Sequence, residues 1–299
     1  MSLVYLNVMY GHLEGTDAKF ARDPSGYLSI EAGIYQKHGL EISWNHVQGT
    51  EERYRRLESG EAQISFVVGR ASLQHFLDTK STRVLGCAMN SCPYYLIVDA
   101  VIRELKDLKG KVVVCREGPA RGVPCAQVFE ERAGLKLGSE VTLQLLGSDL
   151  DALNRLIGGQ AHAALLPRPY GFMAEERGFE RINQWPAVVD DPLPITLETT
   201  QALAQEKERE FATFLAAHRE GIRYMKANRN EAMRILSVRF GLLPGLVRKT
   251  CDDYLICMND SLTVEFTQFE RLLCQIAPEK ASDARQIAAE WISPGALRG

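Results

Sequence analysis

Strand-like and helix-like patterns of hydrophobic positions alternate along the first part of the chain. An apolar run at residues 4–9 predicts a buried strand, and apolar positions at helical spacing predict a helix over 27–38. Gly39 suits the left-handed backbone position just past that helix, and residues 40–44 alternate as in a strand. A second buried strand is predicted at 62–68. This alternation predicts an α/β fold in which mostly parallel sheets are flanked by helices.

Residues with helix-capping chemistry mark where several predicted helices begin. We expect Thr50 to cap a short helix that ends at Gly60, and Ser148 to cap a later one. A further helix is predicted to begin at Gly69, directly after a buried strand. Between these regions, a glycine-rich loop precedes a helix that Gly134 is expected to end.

The last third of the chain is predicted to be helical. From Ala202 onward the apolar positions follow helical spacing, with a break at Asn228. Three further helices are predicted at 244–257, 262–275 and 280–292. Before them, the proline-containing stretch at 187–200 is predicted to be extended.

Two segments of the chain resemble each other. GTEERYRRLESGEAQISFVVGR (49–70) matches GSDLDALNRLIGGQAHAALLPR (147–168) at several glycines, at the capping hydroxyl and at the final arginine, Arg70 or Arg168. The spacing is too long for a solenoid repeat, so two lobes of like topology explain it. Chance similarity of two βαβ units is the alternative.

Composition and charge exclude some classes of protein. The chain has 299 residues, of which 45% are hydrophobic and 24% charged, as is ordinary for a globular protein. The net charge is −3, and no dense basic stretch indicates nucleic-acid binding. We expect no transmembrane segment, because no apolar run reaches the length of about 18 residues that a membrane span needs.

The seven cysteines and the start of the chain bear on its compartment. No Cys-x-x-Cys pair occurs, and many free thiols are typical of a reducing compartment. The predicted strand begins only a few residues into the sequence, so we expect that any export signal has been removed from this chain. We expect a periplasmic or lipid-anchored extracellular protein if there was such a signal, and a cytoplasmic one otherwise.

An ordered set of segments is similar to a known family. EAGIYQKHGLEISW, GTEERYRRLESGEAQISFVV, LKDLKGKVVV, LNRLIGGQAHAALL and FATFLAAHREGIRYMKANRNEAMRIL resemble type 2 periplasmic binding proteins of the nitrate/sulfonate/taurine and thiamine-pyrimidine-precursor branch. The resemblance implies two α/β lobes, each with a mostly parallel sheet, joined by two hinge crossovers. It also implies that a small ligand binds in the cleft between them and that the lobes close over it.

The resemblance assigns residues to lobes and hinges. Lobe one would comprise residues 1–93 and 196–299, and lobe two residues 94–195. The hinges would be at 93–99 and 188–196.

Ligands of open α/β sheets bind beyond the carboxyl ends of the strands, where the loops of this chain carry polar and glycine residues. The candidate ligand-binding residues are Tyr10, Gly11, His12, Gly49, Thr50, Gly69, Arg70, Tyr94, Glu117, Gly118, Arg121, Ser148, Arg168 and Tyr170.

Several of these loops lead directly into helices, and the free N–H groups and the dipole at a helix N-terminus favour anions. An arginine fork is matched to carboxylate, sulfonate or phosphate, so Arg70 and Arg168 are candidates to clamp an acidic ligand from both lobes. The alternative is two surface arginines paired with carboxylates. Arg121 is similar, and Glu117 in its loop can neutralise it or bind a ligand amine instead.

The other candidates offer hydrogen bonds and flat surfaces. His12 is either a ligand hydrogen-bond partner or a solvent-facing loop residue. Tyr10, Tyr94 and Tyr170 can stack on a flat ligand, and strand alternation is expected to point the rings of Tyr94 and Tyr95 to opposite faces.

Two functions remain open from the sequence. The first is a binding protein that delivers a small anionic or heteroaromatic ligand to the membrane subunits of an ABC importer, with no cofactor, no metal and no catalytic residue. The second is a soluble enzyme on the same scaffold, similar to the yeast-type thiamine-pyrimidine synthase or to aromatic-acid decarboxylases. The cysteine-dense run of that synthase is not found here, and no G-x-S-x-G, H-E-x-x-H or P-loop motif occurs.

Overall fold

A computed structural model of the chain describes residues 3–10, 24–47, 49–117, 129–182 and 192–298. The strands of this part are β1 (Val4–Tyr10), β2 (Leu40–His46), β3 (Ile64–Val67), β4 (Thr82–Met89), β5 (Tyr94–Val98), β6 (Val112–Arg116), β7 (Thr142–Leu146), β8 (Ala163–Pro167), β9 (Glu180–Arg181), β10 (Ile195–Thr200), β11 (Val264–Glu265) and β12 (Leu297–Arg298).

The α-helices of the same residues are α1 (Ser25–Glu31), α2 (Ile34–Lys37), α3 (Thr50–Glu58), α4 (Gly69–Thr79), α5 (Asp149–Ile157), α6 (Tyr170–Glu175), α7 (Gln201–Glu206), α8 (Glu208–Ala227), α9 (Arg229–Phe240), α10 (Pro244–Cys257), α11 (Phe266–Ile276) and α12 (Ala284–Trp291). Leu105–Leu108 and Pro278–Asp283 form 3₁₀ turns, and Phe129–Ala133 forms a π turn.

The chain builds two five-stranded sheets, both mostly parallel as predicted. The first has the order β2-β1-β3-β10-β4, in which β1 runs parallel to β2 and β3, and β10 runs antiparallel to β3 and β4. The second has the order β7-β6-β8-β5-β9, in which β6 runs parallel to β7 and β8, and β5 runs antiparallel to β8 and β9. The predicted α/β class is therefore confirmed.

The polypeptide crosses between the sheets twice. It leaves the first sheet after β4, enters the second at β5, and returns to the first at β10. The proposed lobe boundaries stay a prediction, and part of the second hinge, 188–191, lies outside the described residues.

The helices that follow β10 contact elements of both sheets. One buried cluster contains Val8 of β1, Ile97 of β5, Phe214 of α8 and Tyr254 of α10. Helix α10 also contacts α6, which follows β8 of the second sheet. The last third of the chain is thus positioned against the ends of strands from both sheets. No helix in the described ranges is long and apolar enough to cross a membrane.

Two predictions about local structure need correction. The helix predicted over 27–38 is two helices, because Gly33 takes a left-handed conformation (φ +67°) between α1 and α2. Thr50 makes no capping hydrogen bond, since Gly49 holds the N-cap position and Thr50 is the first residue of α3.

Other local predictions are confirmed. Gly39 has φ +76° directly after α2. Ser148 caps α5 by accepting a hydrogen bond from the Asp151 amide. Helix α10 has the predicted bounds, whereas α11 begins at Phe266, later than predicted, and a 3₁₀ turn replaces the start of the last predicted helix.

Candidate functional site

The carboxyl end of β1 carries an aromatic cluster. Tyr10, the last residue of β1, stacks on Trp44 of β2 with ring centroids 5.5 Å apart, and its phenol is hydrogen-bonded to that of Tyr27 in α1. Parallel pairing of β1 with β2 places Tyr10 opposite His46, whose ring lies 5.7 Å from that of Tyr10. Gly26 allows this packing, because a Cβ there would lie 2.3 Å from the Trp44 ring.

The aromatic cluster is uncharged near neutral pH. Burial raises the pKa of Tyr10 and of Tyr27, and burial together with Arg53 lowers the pKa of His46. The cluster therefore offers flat rings and neutral hydrogen-bonding groups, which suit a heteroaromatic ligand.

The loops that follow β2 and β3 of the first sheet lead into α3 and α4. Thr50 and Arg70 line one pocket of about 630 Å³, together with side chains of α11. Arg70 is half-buried, and its Nη2 donates to Oε1 of Gln275 at 2.6 Å. Gly69 is required for space, since a Cβ there would lie 2.3 Å from the carbonyl oxygen of Leu193.

The corresponding loops of the second sheet are more buried. The hydroxyl of Ser148 donates to Oδ2 of Asp151 at 2.7 Å, so the proton of this hydroxyl is engaged within the first turn of α5. Asp149 is fully buried, with Oδ2 3.7 Å from Nε of Arg116 at the end of β6. Glu117, the next residue, is exposed.

Arg168 directly follows β8 and is only 5% exposed. Its Nη1 donates to Oδ2 of Asp253 at 2.7 Å, and its guanidinium lies 4.4 Å from the ring centre of Tyr254. Burial, the largest single effect, lowers the pKa of Arg168, but attraction to Asp253 together with smaller contributions from neighbouring cysteine and tyrosine side chains raises that pKa overall, so the side chain stays charged. A buried cation therefore lies where α10 meets the second sheet.

The tyrosines of β5 and α6 are buried. Tyr94 and Tyr95 belong to different core clusters, as strand alternation predicts. The Tyr95 hydroxyl donates a hydrogen bond to Asp253. Tyr170 is 2% exposed and packs in the core, which leaves little of its ring for a ligand.

The two candidate arginines of the repeated segments lie in different surroundings. Arg70 donates a hydrogen bond to Gln275 of α11, whereas Arg168 donates one to Asp253 of α10. Gly11, His12, Gly118 and Arg121 lie outside the described residues.

The structure adds site residues that the sequence reasoning missed. Tyr27 and Trp44 were assigned to a helix stripe and a strand, and only packing brings them to Tyr10. Asp253 and Tyr254 lie in α10, far along the chain from Arg168, and no sequence signal pointed to them.

The described ranges hold no cluster of metal-ligating side chains, and three of their buried cysteines have raised thiol pKa values. No group of three or more histidine, cysteine or acidic residues there could hold a metal ion. Burial raises the pKa of Cys115 to about 12 and that of Cys251 to about 11, and it also raises the pKa of Cys257. These thiols are poor nucleophiles because the thiolate is the reactive form.

The two sheets and their double crossover define the class of fold as that of the type 2 periplasmic binding proteins. A family model described as NMT1/THI5-like matches residues 25–232, which is more than half of the chain. The chain belongs to this family. No curated protein matches the sequence.

Solved structures show the same fold at low sequence identity. The alkanesulfonate-binding protein SsuA from Xanthomonas axonopodis pv. citri, bound to MOPS, is 14% identical, with a TM-score of 0.69 over 100% of this chain and 99% of that one. The periplasmic aliphatic sulphonate-binding protein SsuA from Escherichia coli is 15% identical, with a TM-score of 0.70 over 95% and 97%. A conserved gene product of Candida albicans, which has the generic periplasmic binding protein fold, is 14% identical, with a TM-score of 0.67 over 99% and 98%.

Proposed function

We propose that this protein is a substrate-binding protein that captures a small anionic or heteroaromatic ligand between its two sheets. The observation that carries the proposal is Arg168, a buried guanidinium at the carboxyl end of β8 whose Nε and Nη2 have no hydrogen-bond partner among the described residues. Buried N–H donors without an acceptor are costly, so such a group is expected where a ligand supplies one. The aromatic cluster around Tyr10 supports the heteroaromatic alternative.

The proposal extends to partners and compartment. The ligand would be delivered to the membrane subunits of an ABC-type importer, as the similarity to sulfonate-binding proteins suggests. The protein would then be periplasmic, or lipid-anchored outside the cell, if its natural form carries an export signal, and cytoplasmic otherwise. The arginine clamp of Arg70 with Arg168 remains part of the proposal.

The family match favours a second candidate, an enzyme on the same scaffold. It would act on a thiamine-pyrimidine precursor or decarboxylate an aromatic acid. Incubation of the protein with pyridoxal phosphate or with aromatic acids, followed by mass spectrometry of the small molecules, tests it. If the compounds are unchanged after long incubation, the enzyme candidate is contradicted and only the binding function remains.

Native mass spectrometry of freshly purified protein, followed by thermal-shift screening, tests the binding function. The panel contains taurine, alkanesulfonates, nitrate, phthalates, aminopyrimidines and pyridoxal phosphate, with sugars and cations for comparison. A ligand that binds the folded chain raises its melting temperature, and does so more the higher its concentration is relative to its Kd. We expect stabilisation by an anion or a heteroaromatic compound, and stabilisation by sugars or cations alone would contradict the proposal.

A further inference from the structure

The guanidinium of Arg168 uses only one of its edges. Nη1 donates to Oδ2 of Asp253 at 2.7 Å and lies 3.7 Å from Sγ of Cys257. Nε and Nη2 are buried, and neither has a hydrogen-bond partner within the described part of the chain. A charged donor pair left without an acceptor costs more than a neutral one. The second edge therefore presents two N–H groups that can donate to acceptor atoms of a ligand.

Nε and Nη2 form the fork that binds carboxylates elsewhere in this protein. Arg229 donates from Nε and Nη2 to the two carboxylate oxygens of Asp252, both at 2.7 Å. Arg234 does the same to Glu231 at 2.8 and 2.7 Å. Two parallel N–H groups match the spacing of two oxygens on one oxyanion, so the geometry selects a carboxylate or sulfonate over a single acceptor atom.

Three elements fix the orientation of this fork. Arg168 follows β8, Tyr95 lies on the neighbouring strand β5, and Asp253 lies on α10. The Asp253 carboxylate accepts hydrogen bonds from both Arg168 and the Tyr95 hydroxyl, while the Tyr254 ring lies against the guanidinium. Because one edge is held by Asp253, the plane of the guanidinium and the direction of its free edge are set.

We propose, on the basis of the proposed function, that the free edge of Arg168 binds one carboxylate or sulfonate group of the ligand, and that Asp253 positions it. Asp253 has two opposing effects on an incoming anion. It orients the fork, which favours binding, and its negative charge repels the anion, which weakens binding. Both nitrogens are covered, so the ligand reaches them when neighbouring groups move, as in a cleft that closes about a hinge.

The two effects of Asp253 can be separated by substitution. Asp253→Asn keeps an oxygen that accepts from Nη1 but removes the like charge, whereas Asp253→Ala removes both. A positioning role thus predicts that the Asn variant binds an anion at least as tightly as the wild type and the Ala variant binds it more weakly. A purely structural role of the ion pair predicts that both variants bind more weakly.

The experiment is calorimetric titration of the full chain with benzoate, benzenesulfonate and benzamide. Benzoate and benzamide have nearly the same shape and differ in charge. We expect at least one of the two anions to bind, with benzamide at least about tenfold weaker. Arg168→Gln and Arg168→Lys should each weaken the anion by about tenfold or more, since lysine keeps the charge but lacks the fork. Arg229→Gln, which breaks an exposed ion pair at the start of α9, is the matched control and should leave affinity unchanged.

Thermal melts of every variant show which of them are folded. If Arg168→Gln does not fold, Arg168→Lys and Asp253→Asn still test the inference. The inference is overturned if neither anion binds, if binding survives both Arg168 substitutions, or if Asp253→Asn binds as poorly as Asp253→Ala. The proposed function fails separately, when no compound of the wider thermal-shift panel binds. Binding of only a neutral heteroaromatic ligand from that panel would support the binding function but contradict the proposal that Arg168 binds a carboxylate or sulfonate.

Discussion

The carboxylate of Glu198 in β10 accepts a hydrogen bond from the hydroxyl of Ser72 in α4, and both residues are fully buried. Burial raises the pKa of Glu198 to about 7, against the opposing effects of hydrogen bonds from Ser72 and Tyr54. A carboxyl group with a raised pKa in the folded state holds its proton at a pH where the unfolded chain has lost it.

This relationship predicts a pH-dependent stability. Because the unfolded chain binds fewer protons above pH 4.5, the contribution of Glu198 is fully present below that pH and is lost as the pH rises toward 7. The loss amounts to up to about 3 kcal/mol. Glu198→Gln should match the wild type at low pH and exceed it above neutrality, as measured by urea unfolding across the pH range. Glu41→Gln, on the exposed side of β2, is the control, and a Glu198→Gln effect that does not vary with pH would contradict the assignment.

Gly69 is predicted to be intolerant of any side chain. A methyl group there would collide with the backbone of Leu193, to which the Gly69 amide donates a 2.9 Å hydrogen bond. Gly69→Ala should lower the free energy of unfolding by about 1–3 kcal/mol, as overpacking does. Gly147→Ala is the matched control, because nothing lies within 4 Å of a Cβ there. Equal stabilities of the two variants in a denaturant titration would show that the backbone at Leu193, just before β10, does not pack on the start of α4 as described.

The two capping positions of the repeated segments are predicted to differ. Ser148→Ala removes the hydrogen bond to the Asp151 amide, at 2.9 Å, and should cost about 1 kcal/mol. Thr50→Ala should cost less, since Thr50 makes no capping bond and only accepts from Nη2 of Arg53 at 3.2 Å. Guanidinium unfolding of both variants measures the difference. A larger loss for Thr50→Ala would restore the original expectation that Thr50 is a cap.

Local signals account for the part of the fold that the sequence predicted correctly. The left-handed turn at Gly39 and the start of α4 at Gly69 depend on neighbours along the chain. The break at Gly33 escaped prediction because the apolar stripe continues across it, and α1 and α2 both pack on α8. At Thr50 the preceding glycine took the cap position, a competition that composition alone cannot decide.

The candidate site was harder to predict because its decisive contacts are long-range. Arg168 was chosen from its position after a strand, which was enough to locate it. Its partner Asp253 is separated from it by much of the chain, and in sequence it resembles any polar residue of an amphipathic helix. Only the packing of α10 on the second sheet turns that carboxylate into a neighbour of Arg168 and Tyr95.

The insertion of β10 between β3 and β4 has a consequence for the order of folding. Every strand of the second sheet comes from the uninterrupted stretch between β5 and β9, whereas the first sheet lacks its fourth strand in spatial order until residues 195–200 have been synthesised. Closing that gap brings together segments far apart in sequence, which slows folding. On the ribosome, the second sheet can therefore assemble while the first is still an open β2-β1-β3 layer with its β3 edge unpaired.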